Sequence, residues 1–260
     1  MKADFEPEKH LVLRGLVVKT EESRGANRRL TLLTAERGCI QATAYGSGKA
    51  VSPLAGATQL FCYGEYTLIQ KRAAYRISDA QTIEPFFALG QDLQAYALAC
   101  YFAELVMQAA AAEQESGAAL LLTLCAFSAL TSPKRDPVLV KAAYELRLLS
   151  DAGFAPSLDC CGGQPDRFYP ESGEVKCPFC DPRPLERNRR CLPLTPGALE
   201  AMQHVQESAY RRIFAFSLGR ESAASMAGAC EAFASSRSIR SGPALEFYQK
   251  LRKAESADGV

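Results

Sequence analysis

Residues 30–49 read LTLLTAERGCIQATAYGSGK. Two short runs of β-branched and apolar residues, Arg29–Thr34 and Cys39–Ala44, flank the turn material Glu36–Gly38, and more turn material follows at Gly46–Gly56. Runs of this length bounded by Gly, Pro, Asn or Ser read as strands. The same grammar extends both ways. Leu11–Lys19 lies upstream, set off by Glu21–Asn27; Gln59–Ile69 and Ala73–Glu84 lie downstream. Five short strands ahead of Pro85 predict a small closed barrel, for which an SH3-like barrel or part of a sandwich would look similar.

Beyond Pro85 the period changes. From Leu93 the apolar residues recur at i, i+3 and i+4 through Leu105, which predicts a helix. A second runs over Gly117–Leu130 and is broken by Ser132-Pro133. A third starts behind Asp136-Pro137, an N-cap followed by proline at the first helical position, and runs to Asp151 with Gly153 as its stop. Periodicity vanishes over 155–193. Helix returns at about Pro196–Ala215 and Pro243–Ala254, while 219–241 reads either way. The expected class is α+β: a barrel domain over 1–85, then a helical domain over 86–260 with a zinc-ribbon-like insert at about 155–193.

Composition narrows the function classes. Hydrophobic residues make up 48% of the 260, and charged residues 23%, which excludes global disorder. Thirty Lys+Arg against 29 Asp+Glu exclude a histone-like polycation but permit a local basic patch. A mean hydropathy of -0.10 argues against an integral membrane protein, as does the lack of any long uninterrupted apolar run. The start, MKADFEPEK, is too acidic for an export or transit signal, so a reducing compartment is expected.

Ten cysteines in such a compartment read as core residues or metal ligands. Cys39, Cys62, Cys100, Cys125 and Cys230 sit singly among apolar residues and suit a core. The other five fall between 160 and 191. Cys177-Pro-Phe-Cys180 is a C-x-x-C knuckle, and Cys160-Cys161-Gly162-Gly163 supplies an upstream pair at zinc-ribbon distance. Phe168-Tyr169 and Glu174-Val175 would be the strands between, turning at Ser172-Gly173. Three readings stand: a structural zinc on Cys160, Cys161, Cys177 and Cys180; one on Cys161, Cys177, Cys180 and Cys191; or no metal.

Residues 1–85 carry 12 Lys/Arg and 9 Asp/Glu. Lys19, Arg24, Arg28 and Arg29 bracket the first turn. Lys71, Arg72 and Arg76 bracket the last hairpin, interleaved with Tyr66 and Tyr75. Cations that track phosphates, with aromatics that stack bases, suit single-stranded nucleic acid; a solvated barrel surface with ordinary core tyrosines is the competing reading, and composition alone favours it. Arg183, Arg187, Arg189 and Arg190 form a second cluster; Arg211-Arg212 and Arg237 with Arg240 suit helix surface. Gly46-Ser-Gly-Lys49 lacks both the earlier glycine and the following Ser/Thr of a phosphate cradle. No catalytic constellation is present, and a cysteine-dependent enzyme is set aside because His10 and His204 fall in different modules.

Four stretches carry a family resemblance: LTLLTAERG at 30–38, ATAYGSGK at 42–49, ELRLLSDAGFAPSLD at 145–159 leading into the cysteines, and SSRSIRS at 235–241. In that order they resemble the RecO family of bacterial recombination mediators over nearly the whole chain. The resemblance implies an N-terminal OB-fold, a helical bundle and a zinc-binding insert. It implies non-catalytic work in the cytoplasm, at the nucleoid. Such a protein binds single- and double-stranded DNA, anneals complementary strands, and acts with RecR so that RecA replaces single-strand-binding protein. It also implies docking of that protein's acidic C-terminal tail on the helical part. Family ligands form two C-x-x-C knuckles: Cys177 and Cys180 match the second, and Cys161 opens the first. Gln164 stands where its partner is expected, leaving Cys160 as the substitute. The expected strand-binding surface is Lys19, Arg24, Arg28, Arg29, Lys71, Arg72 and Arg76. The competing class is a zinc-ribbon regulatory or scaffold protein that binds protein rather than DNA.

Overall fold

The computed structural model describes residues 9–72, 74–185, 190–237 and 242–258. Five strands come first: β1 (Lys9–Ser23), β2 (Asn27–Thr34), β3 (Gly38–Ala44), β4 (Tyr63–Lys71) and β5 (Ala74–Glu84). They close into a barrel in the order β1-β2-β3-β5-β4, with β1 pairing both β2 and β4. Only β3 and β5 run parallel. This order and closure make an OB-fold.

Alternation drives the closure. Leu30 and Leu32, Ile40 and Ala42, and Tyr66 and Leu68 all point inward into one buried cluster. Each large side chain so buried contributes roughly 1.5–3 kcal/mol of transfer free energy, and a closed sheet leaves no edge unpaired. A register shift between Val17 and Lys19 bends the long β1 so that it serves two neighbours. The sequence puts the start of the fourth strand at Gln59; the structure delays it to Tyr63. Phe61 takes a left-handed φ of 66° and the Cys62 amide bonds back to the Gln59 carbonyl, so these residues form a turn.

The chain forms two compact units. The first runs to Gln91 and takes in Val106–Leu120, the end of α1 (Leu93–Ala109) and the start of α2 (Gly117–Leu130). Within it, the turn between these helices is tied to the β2–β3 turn. The Glu113 amide donates to the Arg37 carbonyl (2.8 Å) and that of Ser116 to Ala35 (2.7 Å). Gly38 makes the approach possible: at φ 57°, a Cβ there would overlap the Ala111 carbonyl.

The second unit comprises Asp92–Leu105 and the chain from Leu121. It holds α3 (Pro137–Leu149), α4 (Pro196–Glu207), α5 (Arg220–Ser236) and α6 (Pro243–Asp258). Asp136 caps α3, its carboxylate accepting the Val138 amide at 2.9 Å. That helix stops at Leu149 rather than Asp151, and a widened turn over 150–154 ends at Gly153 with φ 89°. Helix α4 stops at Glu207, well short of Ala215. Ser208 is extended there, and the Arg147 guanidinium takes up the carbonyls of Val205, Gln206 and Ser208. The ambiguous 219–241 contains α5; residues 238–241 lie outside the described set.

The insert is a hairpin of β6 (Arg167–Tyr169) and β7 (Glu174–Lys176), flanked by β8 (Leu192–Pro193). Its turn at Gly173 packs so closely on α5 that a Cβ would lie 2.9 Å from the Phe233 ring. Among the described residues no helix is long and apolar enough to cross a membrane.

Candidate nucleic-acid interface and cysteine cluster

The barrel register sorts its cations. Arg29 on β2 sits opposite Thr43 on β3, Thr43 opposite Arg76 on β5, and Arg76 opposite Ile69 on β4. Their chain neighbours Leu30, Ala42, Ile77 and Leu68 point inward, so this row points outward across four strands. Arg29 and Arg76 are exposed. Only two residues of β3 pair with β5. A depression of about 620 Å³ adjoins them, walled by Thr43, Tyr45, Ile69 and Tyr75 and edged by the exposed Lys71, Arg72 and Arg76.

The remaining expected cations differ. Arg28 is turned to internal use: its guanidinium donates to the Ala55 carbonyl (3.1 Å) and the Thr58 hydroxyl (3.0 Å), holding the β3–β4 connection. Lys19 is 2.6 Å from Glu21, whose carboxyl it keeps below the usual range, with Arg29 adding to the effect. Arg24 is exposed in the β1–β2 turn. Thus Lys71, Arg72 and Arg76 come together at the depression with Arg29 in line, and Lys19 and Arg28 are engaged elsewhere.

For the aromatics, the core reading holds. Tyr66 is fully buried, its hydroxyl donating to the Ala57 carbonyl at 2.7 Å. Tyr75 is 6% exposed, and its hydroxyl donates to Glu113 at 2.6 Å while accepting from Arg37 at 3.1 Å. Arg37 and Glu113 are themselves in direct ion-pair contact. Burial raises the Tyr75 hydroxyl above its ordinary value, and the Glu113 bond adds to that. Tyr45, which the sequence reading passed over, is the exposed ring, at 61%. Its parity was the available signal: it lies two residues beyond the outward Thr43.

In the insert, the sulfurs of Cys160, Cys161, Cys177 and Cys180 all lie within 4.8 Å of one another. Cys161 and Cys177 are 3.5 Å apart, and Cys177 and Cys180 are 3.8 Å apart. Four sulfurs at about 2.3 Å around a tetrahedral zinc would be spaced by about 3.8 Å, so the donor set fits that ion in number, type and size. Such a centre leaves no open position and would serve structure alone. Cys191 is buried and outside this group. The adjacent Cys160 and Cys161 reach one point because the chain folds tightly behind them. Gly162 takes φ 89°, and a Cβ on Gly163 would lie 2.7 Å from the Cys177 sulfur.

The thiols respond unequally to this crowding. The Cys180 amide, helped by the neighbouring thiols and the Phe179 amide, brings Cys177 down to about 7. Burial and the other sulfurs push Cys160 up to about 11. Arg167 anchors the insert beneath, donating to the carbonyls of Asp181 (3.0 Å) and Arg183 (2.7 Å) and pairing with Asp166. Arg183 pairs with Asp181 and holds its carboxyl well below the usual range. Arg187, Arg189 and Arg240 lie outside the described residues.

The helical unit also carries a depression of about 540 Å³. Leu121, Leu124, Cys125 and Phe214 line it, and Arg135 and Arg211 stand in its wall.

Comparison with known proteins supplies the remaining findings. Residues 10–86 match the family model described as Recombination protein O N terminal, and residues 90–238 the one described as Recombination protein O C terminal. The DNA repair protein RecO of Symbiobacterium thermophilum is 33% identical over 249 residues, covering 92% of this chain and 97% of the relative. That of Dehalococcoides mccartyi is 30% identical over 216 residues, covering 80% and 83%. The protein of the same name from Acetivibrio thermocellus is 27% identical over 209 residues, again covering 80% and 83%.

Proposed function

This chain belongs to the RecO family, whose work is DNA repair and recombination, and from that premise we propose that it acts as a non-catalytic mediator whose barrel binds DNA strands. The observation that carries the reading is the outward row of Arg29 and Arg76, continued by Lys71 and Arg72 at the depression. Two DNA strands repel through their phosphates. A cationic face that neutralises both lowers the barrier to pairing and needs no bond chemistry. Annealing of complementary strands coated with single-strand-binding protein, and cooperation with RecR in loading RecA, follow from the family reading. So does a cytoplasmic, nucleoid-associated location.

Two further partners fit the helical unit. An apolar depression walled by Arg135 and Arg211 suits a peptide with apolar side chains and acidic groups, the chemistry of a single-strand-binding protein's C-terminal tail. Zinc on Cys160, Cys161, Cys177 and Cys180 would hold the insert folded. One observation favours a second, scaffold-like reading for that insert. Phe179 at the knuckle tip is 89% exposed, beside a centre that four thiolates would make net negative, which suits a protein contact better than a phosphate.

The test is annealing of complementary oligonucleotides coated with single-strand-binding protein, with and without this protein, at two salt concentrations. Acceleration that fades at high salt is expected. Neutralising Lys71, Arg72 and Arg76 to Gln should flatten the slope of log affinity for single strands against log salt by about two, since each lost phosphate contact removes about 0.7. No acceleration at either salt from folded protein would leave the scaffold reading in first place.

A further inference from the structure

We propose that the depression beside Tyr45 receives an unpaired nucleobase, with Tyr45 as its stacking partner, so that the barrel distinguishes single strand from duplex. The inference rests on the barrel being the DNA-binding face and adds what that face reads. Three observations converge on it.

The first is the ring itself. Tyr45 is 61% exposed and follows the last residue of β3. The chain turns away at once: Gly46 has a φ of 67°, and its amide is held by the Asn27 side chain at 2.8 Å. A ring so placed offers a face at little ordering cost, because its own backbone is already fixed.

The second is the rest of the lining. Tyr75 cannot swing out to cover the depression, since its hydroxyl is tied to Glu113 and Arg37. Ile69 supplies an apolar wall. A volume of about 620 Å³ lies within the range of small-molecule clefts, roughly 300–1,000 Å³. The third is the edge. Lys71, Arg72 and Arg76 are exposed there, placed for the phosphates flanking a base that enters.

Duplex DNA keeps its bases stacked inside and presents phosphates, so it gains from the cations but nothing from the exposed Tyr45 ring. A single strand gains from both. Base–aromatic stacking is sequence-tolerant, so no preference among bases is expected.

The chain has no tryptophan, which makes Tyr45→Trp a sole reporter. Two probes carry equal phosphate charge: an oligothymidylate, and an abasic oligonucleotide of the same length. The expected result is that Trp emission falls with the first and not with the second. Tyr45→Ala should bind the oligothymidylate roughly tenfold more weakly and the abasic strand unchanged, while Tyr45→Phe stays near the parent. Equal weakening on both strands, no weakening on either, or equal quenching by both would overturn the base site. The Lys71, Arg72 and Arg76 to Gln variant separates the two levels. If it weakens both probes while Tyr45→Ala weakens neither, only the base site fails. If it binds both like the parent, the barrel reading fails and the base site with it. Unchanged thermal midpoints confirm that each variant is folded.

Discussion

The cations at the barrel's outer face and those at the centre of the helical unit play opposite parts. In the barrel, Arg29, Lys71, Arg72 and Arg76 are exposed. In the helical unit, Lys141 is buried between two carboxylates, 2.8 Å from Glu145 and 2.8 Å from Glu231. Burial alone would pull its ammonium down, but the two carboxylates outweigh it and hold the charge. Arg147 caps the end of α4, and Arg167 stitches the insert. Net charge near zero therefore conceals two kinds of cation: Lys141, Arg147 and Arg167 are consumed in folding, whereas Arg29, Lys71, Arg72 and Arg76 are presented to solvent. A count of Lys and Arg along the chain measures neither role; the partner of each does.

The hardest way to break this contrast is Lys141→Met. Removing the cation strands Glu145, which is fully buried, accepts the Tyr101 hydroxyl at 2.6 Å and has a second oxygen with no hydrogen-bond partner among the described residues. Loss of one member of such a pair costs about 3–5 kcal/mol. Denaturant unfolding should show that loss while single-strand affinity stays unchanged. A loss below about 1 kcal/mol would mean that Glu145 is already protonated and that Lys141 takes its counter-charge from Glu231 alone.

A smaller effect sharpens the contrast inside the barrel itself. Arg28→Gln removes the bonds to Ala55 and Thr58 and should cost about 1–2 kcal/mol of stability. Strand affinity should stay within about twofold, unlike that of the Lys71, Arg72 and Arg76 variant. An affinity loss as large as that of the Lys71, Arg72 and Arg76 variant would return Arg28 to the interface.

The smallest effect is a pH dependence. The Tyr75 hydroxyl and Arg37 hold the Glu113 carboxyl below its usual range, against a modest opposing effect of burial. A carboxyl depressed in the folded state stabilises above its unfolded value, near 4.3, and loses that contribution as pH falls through the folded one. Glu113 is half exposed, so the contribution is well under about 1 kcal/mol. The gap in thermal midpoint between the parent and Glu113→Gln should close between pH 5 and pH 3, on the order of the unfolded carboxyl range. A gap that holds constant across it would assign the clamp to the backbone bonds alone.

The barrel was legible because alternation is a local property: Leu30 with Leu32, and Tyr66 with Leu68, declare an inward face without reference to anything distant. The same parity supports the core reading of Tyr75, which shares its face with Ile77, and would have picked out Tyr45, which shares its face with Thr43. Helix α5 was not legible because its buried face is built from small residues, Ala223, Ala229 and Cys230, with only Met226 and Phe233 to mark the period. Cysteine spacing announced the cluster. It could not choose between Cys160 and Cys191, because that choice turns on the fold of Gly162-Gly163. The fate of Arg28 depends on a loop nearly thirty residues away, which no local pattern encodes.

The tie between the β2–β3 turn and the connection after α1 has a consequence for synthesis. A ribosome delivers all five strands before it delivers Glu113 and Ser116, yet the Tyr75 hydroxyl and the carbonyls of Ala35 and Arg37 take partners among those later residues. A nascent barrel waiting in the exit tunnel's vestibule is thus an unfinished one. Completion comes when the peptide reaches α2, with translation already committed to the helical half. A pause placed just after β5 would prolong the unfinished state, and one placed after α4, once Glu113 and Ser116 have left the tunnel, would not.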